Sequence, residues 1–435
     1  MTLNAATLEF IHAHANDDVR QLALRRVPAG VNLREALTQI EGRQLAACKL
    51  PVCAATGGFL FPPRLSLEQC SSEATASYKR RIAERLLASS LQEEGGAATS
   101  ADLTTSFADL TGGLGIDFMA IAPLFKSATY VERNLELCEL ARHNLPLMGC
   151  PHAEVVCQEI EAESASFFTR CYTLLYIDPA RRDASGRKVA RIEDCTPDVC
   201  VLQKQLRTHA GHVLIKLSPM LDLTAALRAL DGIIEAHVIS VEGECKELLL
   251  VMKGGNSPST LRLEDIPIHC VNLTASPNQA DKSTFVKSLF TFTLAEEQST
   301  PQKYLLPSPL GEGSGVRSYL HEPNAGILKA GAFKTLCQRF PVQQLAPNSH
   351  LYAAETIVPD FPGRCWRIVD QATFNKKELK RLLQGLEAAE LTVRGFPASV
   401  ATLRKQLRLR DGGDAHFIAT TLADNTKLLL KVLPV

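Results

Sequence analysis

The sequence predicts an α/β fold built on a seven-stranded, mostly parallel sheet, with a helical module before it and small α+β modules after it. The first observation is a short apolar strand that begins at Phe107 and runs into a glycine-rich turn, FADLTGGLGID at 107–117. The second is the alternation of apolar runs and helical patterns as far as Met252, typical of parallel strands joined by crossover helices. The third is the helical spacing of apolar residues in the first 95 residues.

The strands of the predicted sheet follow one another at short intervals. After the strand that begins at Phe107, we expect strands at 128–132, 153–157, 172–177, 213–217, 236–241 and 247–252. The run YTLLYI at 172–177 is continuously apolar, as expected of a parallel strand with both faces buried. A helix at 135–144 joins the second strand to the third. The last two strands are close enough in sequence for an antiparallel hairpin.

The glycine-rich turn predicts a cofactor pocket. Gly112, Gly113 and Gly115 lack the Cβ atoms that would keep a ligand off the backbone, and glycine takes positive φ without steric cost. One candidate class of cofactor is a dinucleotide, whose fingerprint is G-x-G-x-x-G, but here Phe118 occupies the third glycine position. The other is S-adenosylmethionine, because Asp109 would repel a pyrophosphate and attract an amino-acid ammonium group.

Glu132 ends the second strand, where its carboxylate can accept hydrogen bonds from both hydroxyls of a ribose. The turn D-x-T-G-G-x-G at 109–115, followed by this acid, resembles motifs I and II of class I methyltransferases. The resemblance implies a Rossmann-like sheet and an S-adenosylmethionine site, with Glu159 after the third strand near the adenine amino group. The implied cofactor residues are Asp109, Thr111, Gly112, Gly113, Gly115, Glu132, Glu159 and Asp178.

The segment Asp178-Pro179-Ala180-Arg181 follows the fourth strand and resembles motif IV, [DN]-P-P-[FYW], of amino-group methyltransferases. In those enzymes the acid or amide and the first proline carbonyl accept hydrogen bonds from the target nitrogen. The resemblance makes Asp178, Pro179 and Arg181 the candidate catalytic residues, with Arg182 as a substrate contact. Ala180 replaces the second proline and Arg181 the aromatic residue, although a guanidinium can stack on a base or bind phosphate. The alternative is that Asp178 is a turn residue and the arginines form a solvated edge.

Two further segments are candidates for the pocket wall. Lys216 is a charged residue in the apolar fifth strand, and we expect it either to extend to solvent or to point into the cleft as a substrate contact. Residues Gln69–Lys79, QCSSEATASYK, precede the glycine-rich turn, where many methyltransferases keep a helix over the methionine end of the cofactor. Ser72, Glu73, Thr75 and Tyr78 either line the pocket or form a polar helix face.

The composition is typical of a globular protein with several domains. The 435 residues carry 47 basic and 47 acidic side chains, so no global field attracts nucleic acid and any RNA contact has to be local. Thirteen cysteines without C-x-x-C pairs favour reduced thiols over disulfides or zinc. The pairs His12/His14 and His209/His212 lack suitable partner ligands, and no run of about 18 apolar residues predicts a membrane span. We therefore expect a cytoplasmic protein with no metal and no membrane partner.

Changes in composition predict four regions and a linker. The linker is QEEGGAATS at 92–100, a boundary lies at KGGNSP at 253–258, and a proline- and glycine-rich insertion lies near 301–317. We expect a helical module at 1–95, the methyltransferase domain at 96–258, a small ferredoxin-like α+β module at 259–345 and a C-terminal domain at 346–435.

The C-terminal region has the predicted order β-α-β-α-β-β. Its elements are expected at 366–369, 375–388, 391–393, 399–407, 416–422 and 427–432. The segments VRGFP at 393–397, LRKQLRLR at 403–410 and DGGD at 411–414 resemble the THUMP-like domain found behind bacterial methyltransferase domains. From Trp366 onward there are 12 Lys and Arg against 7 Asp and Glu. Candidate contacts to RNA phosphates are Arg394, Arg404, Lys405 and Arg408; equally, such residues form ordinary solvated helix faces.

Together these motifs predict an S-adenosylmethionine-dependent methyltransferase of the THUMP-like-domain family, with tRNA or rRNA as its substrate and a base nitrogen as the acceptor. The RNA substrate follows from the THUMP-like resemblance, because THUMP modules serve RNA modification enzymes. Two alternatives are open. The substrate is a protein or a small molecule, which the missing motif IV aromatic permits, or the chain is a non-catalytic scaffold that binds the cofactor or RNA.

Overall fold

The computed structural model describes residues 3–93, 105–161, 167–180, 191–255, 261–274, 285–302, 304 and 319–435. The chain divides into two units. The first comprises 1–241, 246–263 and 273–286, and the second comprises 242–245, 264–272 and 287–435. Several sequence features lie outside the described residues: Arg181, Arg182, most of the 92–100 linker and most of the 301–317 insertion.

The N-terminal part of the first unit is helical. Its helices are α1 (Ala5–Ala13), α2 (Val19–Leu22), α3 (Leu33–Lys49), α4 (Pro51–Ala55), α5 (Arg64–Gln69) and α6 (Glu73–Glu93). The side chains of Asn4, Asp18 and Asn32 accept backbone N–H groups at the starts of the first three helices. Those three helices share a small apolar core that consists of Phe10, Ile11, Leu22, Ala36 and Ile40.

A sheet with intervening helices follows. Its elements are β1 (Ser106–Asp109), α7 (Ile116–Ile121), β2 (Ser127–Glu132), α8 (Leu135–Leu147), β3 (Ala153–Cys157), β4 (Tyr172–Ile177), α9 (Val199–Thr208), β5 (Ala210–Leu217), α10 (Leu223–Ala229), β6 (Ile233–Val241), β7 (Glu244–Lys253), β8 (Ile268–Thr274) and β9 (Phe285–Phe292). The strand order is β3-β2-β1-β4-β5-β7-β6-β8-β9. Strands β1 to β5 pair in parallel, whereas β7 pairs antiparallel to β5.

The predicted α/β class is confirmed, but the described residues form a sheet of nine strands where seven were predicted. The composition change at 253–258 indicated the end of the domain, whereas strands β8 and β9 continue the sheet beyond it. A glycine-rich turn interrupts the chain in the same way at a domain boundary and between two strands of one sheet, so this signal could not separate the two cases.

The strand order places a crevice at one edge of the sheet. The chain proceeds from β1 outward through β2 to β3, and then returns to β4 on the other side of β1. At such a reversal the connections leave opposite faces of the sheet, and the carboxyl ends of the two central strands border an open cleft. Asp109 is the last residue of β1, Asp178 directly follows β4 and Glu132 is the last residue of β2. The topology therefore gathers these three carboxylates at one cleft.

The second unit contains α11 (Leu294–Ser299), β10 (Tyr319–Pro323), α12 (Ala325–Ala330), α13 (Lys334–Arg339), β11 (Gln343–Gln344), β12 (Tyr352–Ala354), β13 (Gly363–Thr373), α14 (Lys376–Leu382), β14 (Glu390–Arg394), α15 (Val400–Leu407), β15 (His416–Thr421) and β16 (Lys427–Pro434). The strands form a sheet in the order β11-β12-β10-β13-β16-β15-β14. The predicted β-α-β-α-β-β order is present from β13 to β16.

Alternate residues of β15 serve two apolar cores in the second unit. Ile418 packs in one cluster with Trp366 and Leu430, whereas Phe417 lies in the other cluster with Leu403 of α15. This is the alternation expected of a strand whose two faces are both covered. All thirteen cysteines of the chain are free thiols. The helices of the described residues are all too short or too polar to span a lipid bilayer.

Candidate active site

The cleft at the strand reversal contains a cavity of about 530 Å³. This volume lies within the range of roughly 300–1,000 Å³ that is typical of small-molecule sites. The cavity is lined by all eight residues predicted to hold a cofactor, together with Pro179 and Lys216. The structure thus brings together Asp109, Thr111, Gly112, Gly113, Gly115, Glu132, Glu159, Asp178, Pro179 and Lys216.

The glycine-rich turn is folded tightly against Tyr130 of β2. A Cβ atom at Gly112 would lie 2.2 Å from the Tyr130 ring, and the Tyr130 hydroxyl donates a hydrogen bond to the carbonyl of Gly113. Gly113 and Gly115 have φ of +56° and +83°, a region that favours glycine. The glycines are therefore required by the local backbone and by the aromatic ring beneath it.

The Glu132 carboxylate is held by backbone groups on both sides. Its Oε2 accepts the N–H of Gly113 at 2.9 Å, and its Oε1 accepts the N–H of Asn134 at 2.8 Å. Each oxygen has two lone pairs, so both retain capacity for a ligand hydroxyl. The carboxylate is thus oriented at the cavity wall before any ligand arrives.

The end of β3 contributes a second acid to the wall. Glu159 forms an ion pair with Arg133 at 2.6 Å, and both side chains line the cavity. Both are largely exposed, so this pair contributes little to stability, on the order of 0–1 kcal/mol. Glu159 thus lies in the same cavity wall as Glu132.

Asp109 is fully buried beneath the glycine-rich turn. Its Oδ1 accepts the backbone N–H of Thr111 at 2.9 Å. Burial raises the pKa of the Asp109 carboxyl well above its ordinary value, and the neighbouring acids Asp117, Asp178 and Glu132 add to this effect. A positively charged group at the cavity would be attracted by the ionised form of Asp109.

Thr111 joins the ends of β1 and β4. Its hydroxyl oxygen accepts the backbone N–H of Asp178 at 2.7 Å. The Asp178 carboxylate, one-third exposed, contacts Lys216 with 2.5 Å between Oδ2 and Nζ. Burial acts to lower the pKa of Lys216, but the charges of Asp178, Asp117 and Glu247 raise it above its ordinary value. Lys216 is therefore an ammonium group that points into the cleft, which selects one of the two predicted positions.

A buried ionic cluster lies behind the cleft. The Nζ of Lys79 on α6, with no exposed surface, lies 2.9 Å from Asp117 Oδ1 and 2.8 Å from Glu247 Oε1, and it donates to the hydroxyl of Ser71. Asp117 Oδ2 accepts from the hydroxyls of Ser71 at 2.6 Å and Tyr176 at 2.7 Å. Burial acts to raise the pKa of Asp117, but Lys79, Lys216 and these two hydroxyl donors lower it below its ordinary value.

The sequence reasoning did not identify Lys79, Asp117 or Glu247 as site residues. A signal for Lys79 was present, because it occupies the apolar position of a helical pattern that includes Ala76 and Ile82, both buried. A lysine in that position indicates either that this part of the helix is exposed or that the ammonium group has a buried carboxylate partner. The sequence alone did not show which carboxylates would be that partner.

The residues before α6 that line the cavity are not the four candidates Ser72, Glu73, Thr75 and Tyr78. Ser66, Gln69, Cys70 and Ser71 are in the wall. Tyr78 instead contacts His237, with 3.0 Å between its hydroxyl and Nδ1, and Glu73 accepts the backbone N–H of Val52. Of the other predicted substrate contacts, Arg182 lies outside the described residues and four lie in the second unit, where Arg394 pairs with Glu322 and Arg404 with Asp411. Lys405 and Arg408 are exposed.

The strand order and the acids at the ends of β1, β2 and β4 define the class I methyltransferase fold. A family model described as a ferredoxin-like domain matches residues 319–362, and one described as THUMP domain-like matches residues 363–431. A comparison with curated proteins finds no match.

Among solved structures, the "putative methyltransferase" of Porphyromonas gingivalis W83 is 32% identical over 100% of both chains, with a TM-score of 0.79. The rRNA methylase of Streptococcus thermophilus is 12% identical, with coverage of 35% of this chain and 88% of that one and a TM-score of 0.27. The tRNA (uracil-54, C5)-methyltransferase of Pyrococcus abyssi is 13% identical, with coverage of 35% and 34% and a TM-score of 0.25. The chain belongs to the family of the Porphyromonas gingivalis protein, class I methyltransferases that carry a THUMP-like domain.

The close approach of Gly112 to Tyr130 predicts the effect of a single methyl group. Gly112→Ala is expected to lower the free energy of unfolding by about 1–3 kcal/mol, because Tyr130 is fully buried and has no room to move. Gly57→Ala is the control, since nothing lies within 4 Å of the added atom. Denaturant unfolding of both variants checks this expectation, and equal stabilities would contradict the tight packing of the turn.

The burial of Asp109 predicts a pH-dependent cost in stability. Because its pKa is raised in the folded chain above the ordinary value of 3.8, the stability that its carboxyl group contributes is full below that pH and is lost as the pH rises through the folded-state pKa. Asparagine does not ionise. The melting temperature of Asp109→Asn minus that of the native chain is therefore expected to increase as the pH is raised from about 5 to about 8. A difference that stays constant over this range would contradict the raised pKa.

Proposed function

We propose that this protein is an S-adenosylmethionine-dependent methyltransferase that acts on RNA. The choice of cofactor rests on the positions of Asp109 and Glu132, which lie on either side of a glycine-rich turn at the strand reversal. The buried carboxyl group of Asp109 suits a cationic amino group, and the oriented Glu132 carboxylate suits a pair of ribose hydroxyls. No phosphate-binding cation is needed for a ligand of this kind.

The chemistry of the cofactor fits the wall of the cleft. When bound, S-adenosylmethionine supplies a methyl group on a positively charged sulfur, so that the acceptor needs mainly to be positioned. Glu132 and Glu159 lie at the β2 and β3 ends, suited to the sugar and the adenine. Asp178 and Lys216 lie at the β4 and β5 ends, where an acceptor would be held.

The support for RNA comes from the second unit. Besides the THUMP domain-like match, a groove between α14 and α15 is lined by Lys376, Lys377, Lys380, Arg381 and Arg408, and by no acidic side chain among its described residues. Arg381 is engaged with Asp370 at 2.7 Å, which leaves four cations for a ligand. Such a surface suits the phosphate backbone of a nucleic acid. We define these residues as the α14/α15 groove.

Arg408 has a conformation that costs stability. It ends α15 with φ of +57°, in the left-handed region where glycine is normally found, and its side chain is exposed. For a residue with a Cβ atom this conformation costs roughly 1–2 kcal/mol. An arginine in this place is unfavourable for folding, which is consistent with a binding role for its guanidinium group.

The acceptor atom is the finer part of the proposal. A base nitrogen, the acceptor predicted from motif IV, would use the Asp178 carboxylate and the Pro179 carbonyl as hydrogen-bond acceptors. Analysis of the methylated nucleoside formed in RNA from tritiated cofactor identifies the acceptor, and incorporation into protein instead of RNA would favour the alternative substrate class.

Removal of the Glu132 charge is expected to weaken cofactor binding. Glu132→Gln keeps the shape of the side chain but replaces a charged acceptor, so the dissociation constant for S-adenosylmethionine should rise about 10- to 100-fold. Glu136→Gln, in the first turn of α8 and exposed, is the matched control. Titration calorimetry measures both, and equal affinities for the two variants would remove Glu132 from the site.

Arg408→Gly is expected to separate folding from RNA binding. The variant should gain about 1 kcal/mol in stability because the left-handed conformation suits glycine. It should also bind RNA more weakly, and the slope of log K against log salt should fall by about 0.7 for one lost phosphate contact. Arg410→Ala, an exposed arginine outside the α14/α15 groove, is the control. Unchanged RNA affinity in Arg408→Gly would argue against this groove.

A further inference from the structure

We propose that the methyl acceptor is a ribose 2′-hydroxyl of RNA rather than a base nitrogen, with Asp178 as the proton acceptor and Lys216 as the cation that stabilises the reacting oxygen. The inference rests on the proposed function, since it takes the same cleft and the same class of substrate. The 2′-hydroxyl is the hydroxyl group that every internal RNA nucleotide carries and that DNA lacks.

An ion pair lies at the ends of β4 and β5, where the acceptor would be held. Lys216 Nζ lies 2.5 Å from Asp178 Oδ2, and both groups line the cleft. A target amine has one lone pair, which must face the methyl group, and its N–H bonds require acceptors. The Lys216 ammonium group, next to the Asp178 carboxylate, would donate a hydrogen bond to that lone pair and so compete with the methyl group for it. The pair of Lys216 and Asp178 is therefore poorly matched to a nitrogen.

A hydroxyl group matches the same pair at every atom. Its proton can pass to the Asp178 carboxylate, as an aspartate accepts a hydroxyl proton in kinases. One oxygen lone pair can accept a hydrogen bond from Lys216, while another is directed at the methyl carbon. In the step, the O–H bond breaks, the O–C bond forms, and the C–S bond breaks with its electrons left on the sulfur. The negative charge that develops on the oxygen is stabilised by the ammonium group.

The charges of the surrounding cluster also act on Lys216. Lys79 and Lys216 carry two positive charges, and Asp117, Glu247 and Asp178 carry three negative ones. The charges of Asp178, Asp117 and Glu247 raise the pKa of Lys216 above its ordinary value, so that it acts as a donor rather than a base.

The described part of the cavity wall is also poor in aromatic side chains. Among the described residues of the cavity wall, Tyr176 is the single aromatic side chain, and it is buried with its hydroxyl engaged at 2.7 Å by Asp117. The motif IV position for an aromatic residue is Arg181 in the sequence. A base that is turned out of its stack is normally held between aromatic or apolar side chains. A ribose needs no such surface, because its hydroxyl is accessible along the strand.

The position of the label in RNA tests this inference. RNA is incubated with the protein and with S-adenosylmethionine that carries a tritiated methyl group, and is then hydrolysed with alkali. Alkaline cleavage of RNA requires a free 2′-hydroxyl, so a 2′-O-methyl group leaves the label in dinucleotides, whereas a methylated base leaves it in mononucleotides. We expect dinucleotides, and no label in a DNA strand of the same sequence. Labelled mononucleotides would overturn the inference but leave RNA methylation standing; unlabelled RNA would overturn both proposals.

The Asp178→Asn variant tests the role of the carboxylate. Asparagine is an accepted residue in the [DN]-P-P-[FYW] pattern, so a nitrogen acceptor predicts activity within about tenfold of the native chain. An amide cannot take up a proton, so a hydroxyl acceptor predicts a loss of about 10²- to 10⁴-fold in kcat. A cooperative thermal transition close to that of the native chain shows that the variant is folded.

Two variants of Lys216 complete the test. Lys216→Met should lose activity on RNA, while Lys216→Arg, which keeps the positive charge, should restore part of it at unchanged RNA affinity. Equal activity of Lys216→Met and the native chain would contradict the role of the cation. Cofactor binding, measured by calorimetry, shows whether each variant is folded. If Lys216→Met is unfolded, Lys216→Arg alone is compared with the native chain.

Discussion

The cleft depends on the ion pairs and the hydrogen bond of the buried Lys79 ammonium group. This group has no exposed surface, and removal of a charge from water costs several kcal/mol unless partners compensate. Three partners do so here: Asp117 at 2.9 Å, Glu247 at 2.8 Å and the Ser71 hydroxyl at 3.0 Å. They belong to α7, β7 and the segment before α6. One cation thus joins the N-terminal helices to the sheet at the level of the cleft.

The same cluster sets the electrostatics of the acceptor side. Asp117 and Glu247 satisfy Lys79 and also act on Lys216, which contacts Asp178 at the cavity wall. The N-terminal helices are therefore part of the site rather than an appendage, since α6 supplies the cation and Ser66 and Ser71 supply part of the wall. A change at Lys79 would leave the buried carboxylates of Asp117 and Glu247 without this cation.

The sequence predicted correctly those elements whose conformation depends mainly on the residues of the segment itself. The run Tyr172–Ile177 forms β4 with the predicted bounds because an apolar stretch of that length has to be buried on both faces. The glycines at 112, 113 and 115 predicted a tight turn, and the close ring of Tyr130 explains why it is tight. The assignment of Asp109, Glu132 and Asp178 to one cleft came instead from the resemblance of their motifs to those of class I methyltransferases, because the order of strands in a sheet is not a local property.

The features that the sequence did not reveal depend on partners far apart in the chain. Lys79 and Glu247 are separated by 168 positions, and their pairing follows only from the packing of α6 against the sheet. The roles of Arg394 and Arg404 could not be separated from those of Lys405 and Arg408, because the nearby acids Glu322 and Asp411 become visible only in three dimensions. The strands β8 and β9 were missed because a glycine-rich turn does not show whether the next strand continues the same sheet.

The central claim is that a strand reversal, a glycine-rich turn and two acids form a site for S-adenosylmethionine. A crystal structure of the protein with S-adenosylhomocysteine tests it most directly. The account predicts a ligand along 109–115, with its ribose hydroxyls on the Glu132 carboxylate and its amino group near Asp109. A ligand bound elsewhere, or a ribose that does not contact Glu132, would contradict it.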